Sequence, residues 1–146
     1  MANNYNQYRN NGKGNYQNQN SRPVTPAIAQ PLAVHYADKA ELYLEGGIAY
    51  KQAEKFKFIA PHQLRKYLDT IKDCAETAEF EAARNKLYSV VPMAAYNAGR
   101  DRNQGDLYDF IRSNINRNSI TSKKDIEVLD DLFTSIIAYH KYLSGK

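Results

Sequence analysis

Residues able to do acid–base, nucleophilic or metal chemistry are few in this 146-residue chain, and they are scattered. The three histidines, His35, His62 and His140, lie far apart. No H-x-x-x-H or H-E-x-x-H spacing brings two of them to one helix face, as a zinc site would need. The single cysteine, Cys74, excludes an internal disulfide and suits a reducing, cytoplasmic setting. It stands beside Asp73 in a helix-patterned stretch, where a thiol packs rather than attacks. Gly46-Gly47 is not followed by G-K-[ST], and neither G-x-G-x-x-G nor G-x-S-x-G occurs. Carboxylates do cluster, as Asp130-Asp131 and as Glu76, Glu79 and Glu81. Neighbours on a helix point about 100° apart, so Asp130 and Asp131 do not converge on one metal. Glu76 and Glu79 share a face that leads to Arg84 and read as solvated charge. The chain is therefore expected to be no enzyme and to use no cofactor and no metal.

Positive charge is the remaining chemical signal. Net charge is +4, and the basic residues group three times. Lys51, Lys55, Lys57, Arg65 and Lys66 have only Glu54 among them; Arg100 and Arg102 stand near Gly99 and Gly105; Arg112, Arg117, Lys123 and Lys124 form the third group. Cations brought to one face hold phosphates by Coulomb attraction and counterion release, without reading sequence. Lys55, Lys57, Arg65, Lys66, Arg100 and Arg102 are the candidate RNA-binding set. Arg65 flanks Leu64 and Leu68, so it is read either as a contact or as an edge-of-core residue paired with a carboxylate. Solvated surface charge is the bland alternative for all of them, and Arg100 and Arg102 would also neutralise a helix C-terminus. Twelve tyrosines and five phenylalanines with no tryptophan supply rings that stack on bases or pack helices with one wet end.

These residues need elements to position them, and the apolar spacing is helical throughout. Residues 1–34 form an Asn/Gln-rich, low-complexity arm; up to about Gln30 it has no apolar period and is expected to be disordered in isolation. Arg9, Lys13 and Arg22 with Tyr5, Tyr8 and Tyr16 make it either a weak basic–aromatic arm or a solubilising tail. Residues 35–146 read as one helical domain. Asp38 to Glu45 is a short helix stopped by Gly46-Gly47, and Ile48 to Phe58 is a weaker one. Pro61 to Ala78 repeats Leu64, Leu68, Ile71, Ala75 and Ala78 at three or four residues, with proline in the first turn, where its missing N–H costs nothing. Phe80 to Ala98 carries Phe80, Ala83, Leu87, Val90, Val91 and Ala94, with a kink or break expected at Pro92 and a C-cap at Gly99. Asp106 is placed to cap a helix to about Asn114, burying Leu107, Phe110 and Ile111. Ser122 and Asp125 resemble a capping box before a last helix striped by Ile126, Leu129, Phe133, Ile136, Ile137 and His140. The fold class is all-α, a compact bundle of about five helices. No run of apolar residues spans a membrane and no secretory signal is visible at the N-terminus.

Two stretches resemble the small subunit of the type III-A CRISPR-Cas effector (Csm) complex. The first is Phe58-Ile59-Ala60-Pro61-His62-Gln63-Leu64-Arg65-Lys66-Tyr67, similar to that family's helix start, an apolar pair before a cap and then Q-L-R-K. The second and more specific is Val91-Pro92-Met93-Ala94-Ala95-Tyr96-Asn97-Ala98-Gly99-Arg100, with its proline followed by Y-x-A-G-R. The closing Phe133-Thr134-Ser135-Ile136-Ile137-Ala138-Tyr139-His140-Lys141-Tyr142 also fits, so the likeness runs from about Lys51 to the C-terminus. Ala60 stands where Ser or Thr would cap, and the N-terminal arm lies outside the likeness.

The resemblance implies a non-catalytic helical subunit of an antiviral ribonucleoprotein. Several copies would stack beside the backbone subunits and line the groove where guide RNA pairs with target RNA. The partners implied are guide and target RNA, the backbone and large subunits, and neighbouring copies of the chain. Target cleavage would belong to the backbone subunits, and signalling and DNase chemistry to the large one. Base pairing would then supply specificity while the protein reads shape and charge. Three other readings stay open here: a helical protein–protein adaptor without RNA contact, the small subunit of a type III-B complex, and a small metal-dependent nuclease.

Overall fold

The longest apolar stripe of the sequence becomes the spine of the fold. A computed structural model describes residues 25–145. In chain order these hold α1 (Leu32–His35), α2 (Lys39–Tyr43), α3 (Ile48–Lys55), α4 (Pro61–Glu76), α5 (Phe80–Tyr88), α6 (Val90–Arg100), a 3-10 turn (Arg102–Gln104), α7 (Gly105–Asn114) and α8 (Lys123–Ser144). There is no strand among the described residues, and the fold is an all-α bundle. α8 packs chiefly on α4 and α3 and also meets α1; α5 lies on α4, and α6 packs on α7. The core of α8 is Ile126, Val128, Leu129, Leu132, Phe133 and Ile136, each buried as its spacing requires. Phe110 of α7 joins this core to the end of α3, its ring centroid 5.9 Å from that of Phe56, which it meets edge-on, and 5.9 Å from that of Phe133, to which it is tilted.

Among the described residues six helices have eight residues or more where the periodicity suggested about five, because the Phe80–Ala98 stretch is two. The break falls at Ser89, three residues before Pro92, which puts the proline in the first turn of α6. There its absent N–H costs no hydrogen bond. Ser89 Oγ donates instead to Lys86 O at 2.6 Å and helps satisfy the end of α5. Gly99 does not end a helix: α6 continues through Arg100 and is capped at Asp101. Nor does Asp106 cap α7, which starts at Gly105 and leaves Asp106 in its first turn.

The described part of the N-terminal stretch is folded onto the body. Ile28 and Leu32 enter the core, and their N–H groups donate to Ser113 O at 2.9 Å and Ser119 O at 3.0 Å. Asp109 accepts from both Thr25 N (3.3 Å) and Thr25 Oγ1 (2.5 Å). The disorder expected of the arm's remainder concerns residues outside those described. Asp125 does reach back to Ser122 N at 3.2 Å, while Ser122 makes no side-chain cap bond, so the box is half built. The same carboxylate accepts from Thr121 N, Thr121 Oγ1 and Ala33 N at 2.8, 2.7 and 2.9 Å, which ties α1 to the start of α8. Four donors make this buried carboxylate tolerable.

Candidate nucleic-acid interface

The six candidate cations are all exposed, and among the described residues none of them enters an ion pair. Arg65, for which a carboxylate partner was one expectation, has none among the described residues. α4 separates the set. Arg65 borders a groove against α8 formed with His62, Leu64, Ile137, His140 and Lys141. Lys57 borders the neighbouring groove between α3 and α8, where its ammonium lies 5.2 Å from the Phe58 ring centre. Lys66 faces the other way, toward α6.

On that side Lys66 and Arg100 meet. Together with Gln63, Tyr67, Asn97, Asp101 and Gln104 they line a cavity of about 320 Å³ between α4, the last turns of α6 and the 3-10 turn. Two local features of the sequence build it. Pro61 starts α4 and Gln63 Oε1 accepts from Ala60 N at 3.3 Å, half of a capping box that needs no Ser or Thr at Ala60. Asp101 caps the 3-10 turn by accepting from Asn103 N at 3.0 Å, so the chain reverses just after Arg100. Arg100 is the final residue of α6 and lies one turn beyond Tyr96; its guanidinium carbon is 5.6 Å from that ring's centre. Asn97 Nδ2 donates to the Tyr67 hydroxyl at 2.7 Å and links α6 to α4. Burial raises the Tyr67 pKa, more than the Asn97 bond lowers it, so the phenol keeps its proton. Lys55 and Arg102 line none of these concavities.

Two members of the third basic cluster serve the fold. Arg112 donates to Asp109 Oδ1 and to Thr25 O, both at 2.6 Å. Lys123 reaches across to Ala75 O at 2.7 Å and to Thr77 O, completing the C-terminal end of α4. Arg117 and Lys124 remain exposed.

The other reactive groups are occupied in packing. Cys74 is fully buried, and burial pushes its thiol pKa up against the pull of Lys123. His140 is buried with Nε2 3.0 Å from Phe56 O, an acceptor, so Nε2 carries the proton. Asp130 is held by Lys72 at 3.2 Å, whereas Asp131 is exposed. Among the described residues no three His, Cys, Asp or Glu side chains are grouped to hold a metal ion.

A family model described as Csm2 Type III-A matches residues 40–146, about three quarters of the sequence. The chain belongs to the Csm2 family. It is a small subunit of a type III-A CRISPR effector, and the type III-B reading falls away. No curated protein and no solved structure matches it. The Csm2 match begins at the second residue of α2 and takes in α3 to α8 and hence the whole Lys66–Arg100 cavity, whereas α1 and the rest of residues 1–39 lie outside. Membership brings the partners of a ribonucleoprotein, other Csm subunits and RNA, and no described helix is long and apolar enough to cross a membrane.

The candidate set read from the sequence named cations alone and left out the neutral side chains that line the cavity with Lys66 and Arg100. Gln63, Tyr67, Tyr96 and Asn97 all fall within the two helix motifs. Gln63 lies three residues from Lys66, and Asn97 and Tyr96 lie three and four from Arg100, which was the available signal; Tyr67 adjoins Lys66 in sequence and lies four residues from Gln63. Gln104 carried none, because its position depends on the chain reversal at Asp101.

Proposed function

We propose that this chain lines the RNA groove of a type III-A complex in antiviral defence, holding guide–target RNA by its phosphates and doing no chemistry of its own. Its contacts are Lys55, Lys57, Arg65, Lys66, Arg100 and Arg102. The partners in the assembly are guide and target RNA, the backbone and large subunits, and further copies of the chain in a cytoplasmic particle. One observation carries the reading: Lys66 and Arg100, from separate motifs of the Csm2 match, border one cavity and are free of described carboxylate partners. Unpaired cations held on two rigid helices can bind phosphate without first breaking an internal salt bridge. Arginine adds two parallel hydrogen bonds to one phosphate, which lysine cannot.

The test is RNA affinity against salt for Lys66→Ala and Arg100→Ala, with thermal melting as the folding control. Each substitution should weaken binding to all sequences alike and lower the salt slope by roughly one unit. Unchanged affinity and slope in both folded variants, alone and in the assembled complex, would remove these residues from the interface. A protein–protein adaptor with merely solvated cations predicts that unchanged result.

A further inference from the structure

We propose that the cavity between α4, α6 and the 3-10 turn takes one unpaired ribonucleotide. Its phosphate would lie on Lys66 and Arg100, and its hydrogen-bonding edge among the neutral side chains behind them. This inference rests on the RNA reading above and goes past it, since phosphate contacts alone need neither a cavity nor neutral hydrogen-bonding groups.

Every side chain lining the cavity is polar or aromatic, so it does not suit an aliphatic ligand. Its volume of about 320 Å³ is at the small end of ligand sites, which run from about 300 Å³ upward. Gln104 is the telling residue. It lines the cavity with only 6% of its surface exposed, and its Oε1, closed to solvent as the side chain stands, has no hydrogen-bond partner, so a ligand reaches it only as the side chain shifts. Its amide orientation follows from Asp101, whose Oδ2 can only accept and lies 3.5 Å from Gln104 Nε2. An orphaned buried acceptor costs stability unless something donates to it. Tyr67 supplies the complement, because its hydroxyl accepts from Asn97 and retains its own proton to donate. A donor and an acceptor behind two cations match a nucleotide, which carries N–H and carbonyl groups on its base and a hydroxyl on its ribose.

The approach to the cavity adds a stacking surface. Tyr96 is 66% exposed, and Arg100 lies over its ring. Splayed bases in single-stranded RNA stack on such rings and guanidinium planes, whereas a base inside a duplex has no free face. Asp101 also lines the cavity, and its carboxylate disfavours a second phosphate there.

The experiment measures binding of the full chain to a paired RNA duplex, to the same duplex with one bulged adenosine, and to AMP. The variants are Gln104→Leu, Tyr96→Ala and Lys66→Ala. Tyr96→Ala changes an exposed residue and remains informative if Gln104→Leu fails to fold. The bulged duplex should bind roughly fivefold or more tightly than the paired one. Gln104→Leu and Tyr96→Ala should abolish that difference without changing duplex affinity, while Lys66→Ala should weaken both. Equal affinity for bulged and paired RNA, or a preference that survives both Gln104→Leu and Tyr96→Ala, overturns the nucleotide site and leaves the phosphate reading standing. If neither RNA binds, the phosphate reading fails and takes this one with it. Gln104-dependent AMP binding without any bulge preference assigns the cavity to a free nucleotide and overturns the RNA assignment.

Discussion

Tyr36 shows how a single buried polar group sets a limit on stability. Its hydroxyl donates to Asn114 Oδ1 at 2.5 Å, and burial raises its pKa from 10.0 to about 12, with the Asn114 bond pulling slightly the other way. In the unfolded chain the phenol ionises near its ordinary value. The native state is therefore favoured by the full difference below pH 10, and that advantage is lost as the pH rises toward 12. Stability should fall by roughly 1.4 kcal/mol per pH unit in that window. Urea melts at pH 9, 10 and 11 on the wild type and on Tyr36→Phe measure it: the variant should start less stable, because Asn114 loses its donor, and should show a shallower decline. A parallel decline in both would place the alkaline sensitivity elsewhere. At this scale the sequence was partly legible. Lys66 and Arg100 could be named as candidates because cations inside helix motifs stand out in a string of letters, but that they border one cavity and lack described carboxylate partners is visible only in the fold. Tyr36, Gln104 and Tyr67 could not, since what matters about them is burial against residues far along the chain.

Helices were readable wherever one face is continuously apolar, which is why α4, α7 and α8 appear close to their expected positions. The errors come from end effects, where single residues compete. Of the kink or break expected at Pro92 the break is what occurs, but it falls at Ser89, so the proline sits in the first turn of α6. Gly99 is interior because Asp101 caps the 3-10 turn after α6, and no backbone strain demands glycine there: Gly46 is the only described residue with positive φ, at 85°. A Cβ built on Gly99 meets nothing within 4 Å. Gly99→Ala should thus stabilise the protein by about 0.5–1 kcal/mol, through the lower entropy of its unfolded state and better helix propensity. Denaturant midpoints would show it. A loss of stability would instead mean that Gly99 terminates the helix in a left-handed conformation. The same substitution leaves Tyr96, Asn97 and Arg100 in place, so RNA affinity should stay unchanged.

Over the whole molecule α4 acts as a watershed for charge. Arg65 borders the α8 groove that adjoins the one beside Lys57, whereas Lys66 and Arg100 meet on the α6 side. Residues 65 and 66 are about 100° apart around the helix, so they cannot both grip one phosphate without the RNA passing over the α4 surface. A duplex docking on both sides would contact all six cations and give a salt slope near −5, from about −0.9 per phosphate. Docking on the α6 side alone would give roughly −2. Paired substitutions separate the two arrangements in the assembled complex. Lys66→Ala with Arg100→Ala should reduce the slope by about two units and bind less additively than either change alone predicts, since the pair shares one site. Lys57→Ala with Arg65→Ala should reduce it by a similar amount if the RNA crosses α4, and each should act independently of Arg100→Ala. If the second pair leaves both slope and affinity untouched, the α8 side is not an RNA surface. Its exposed Phe58, at 72%, would then sit on a face available to protein, and the interface would contract to the cavity flank, where the orphaned Gln104 acceptor lies.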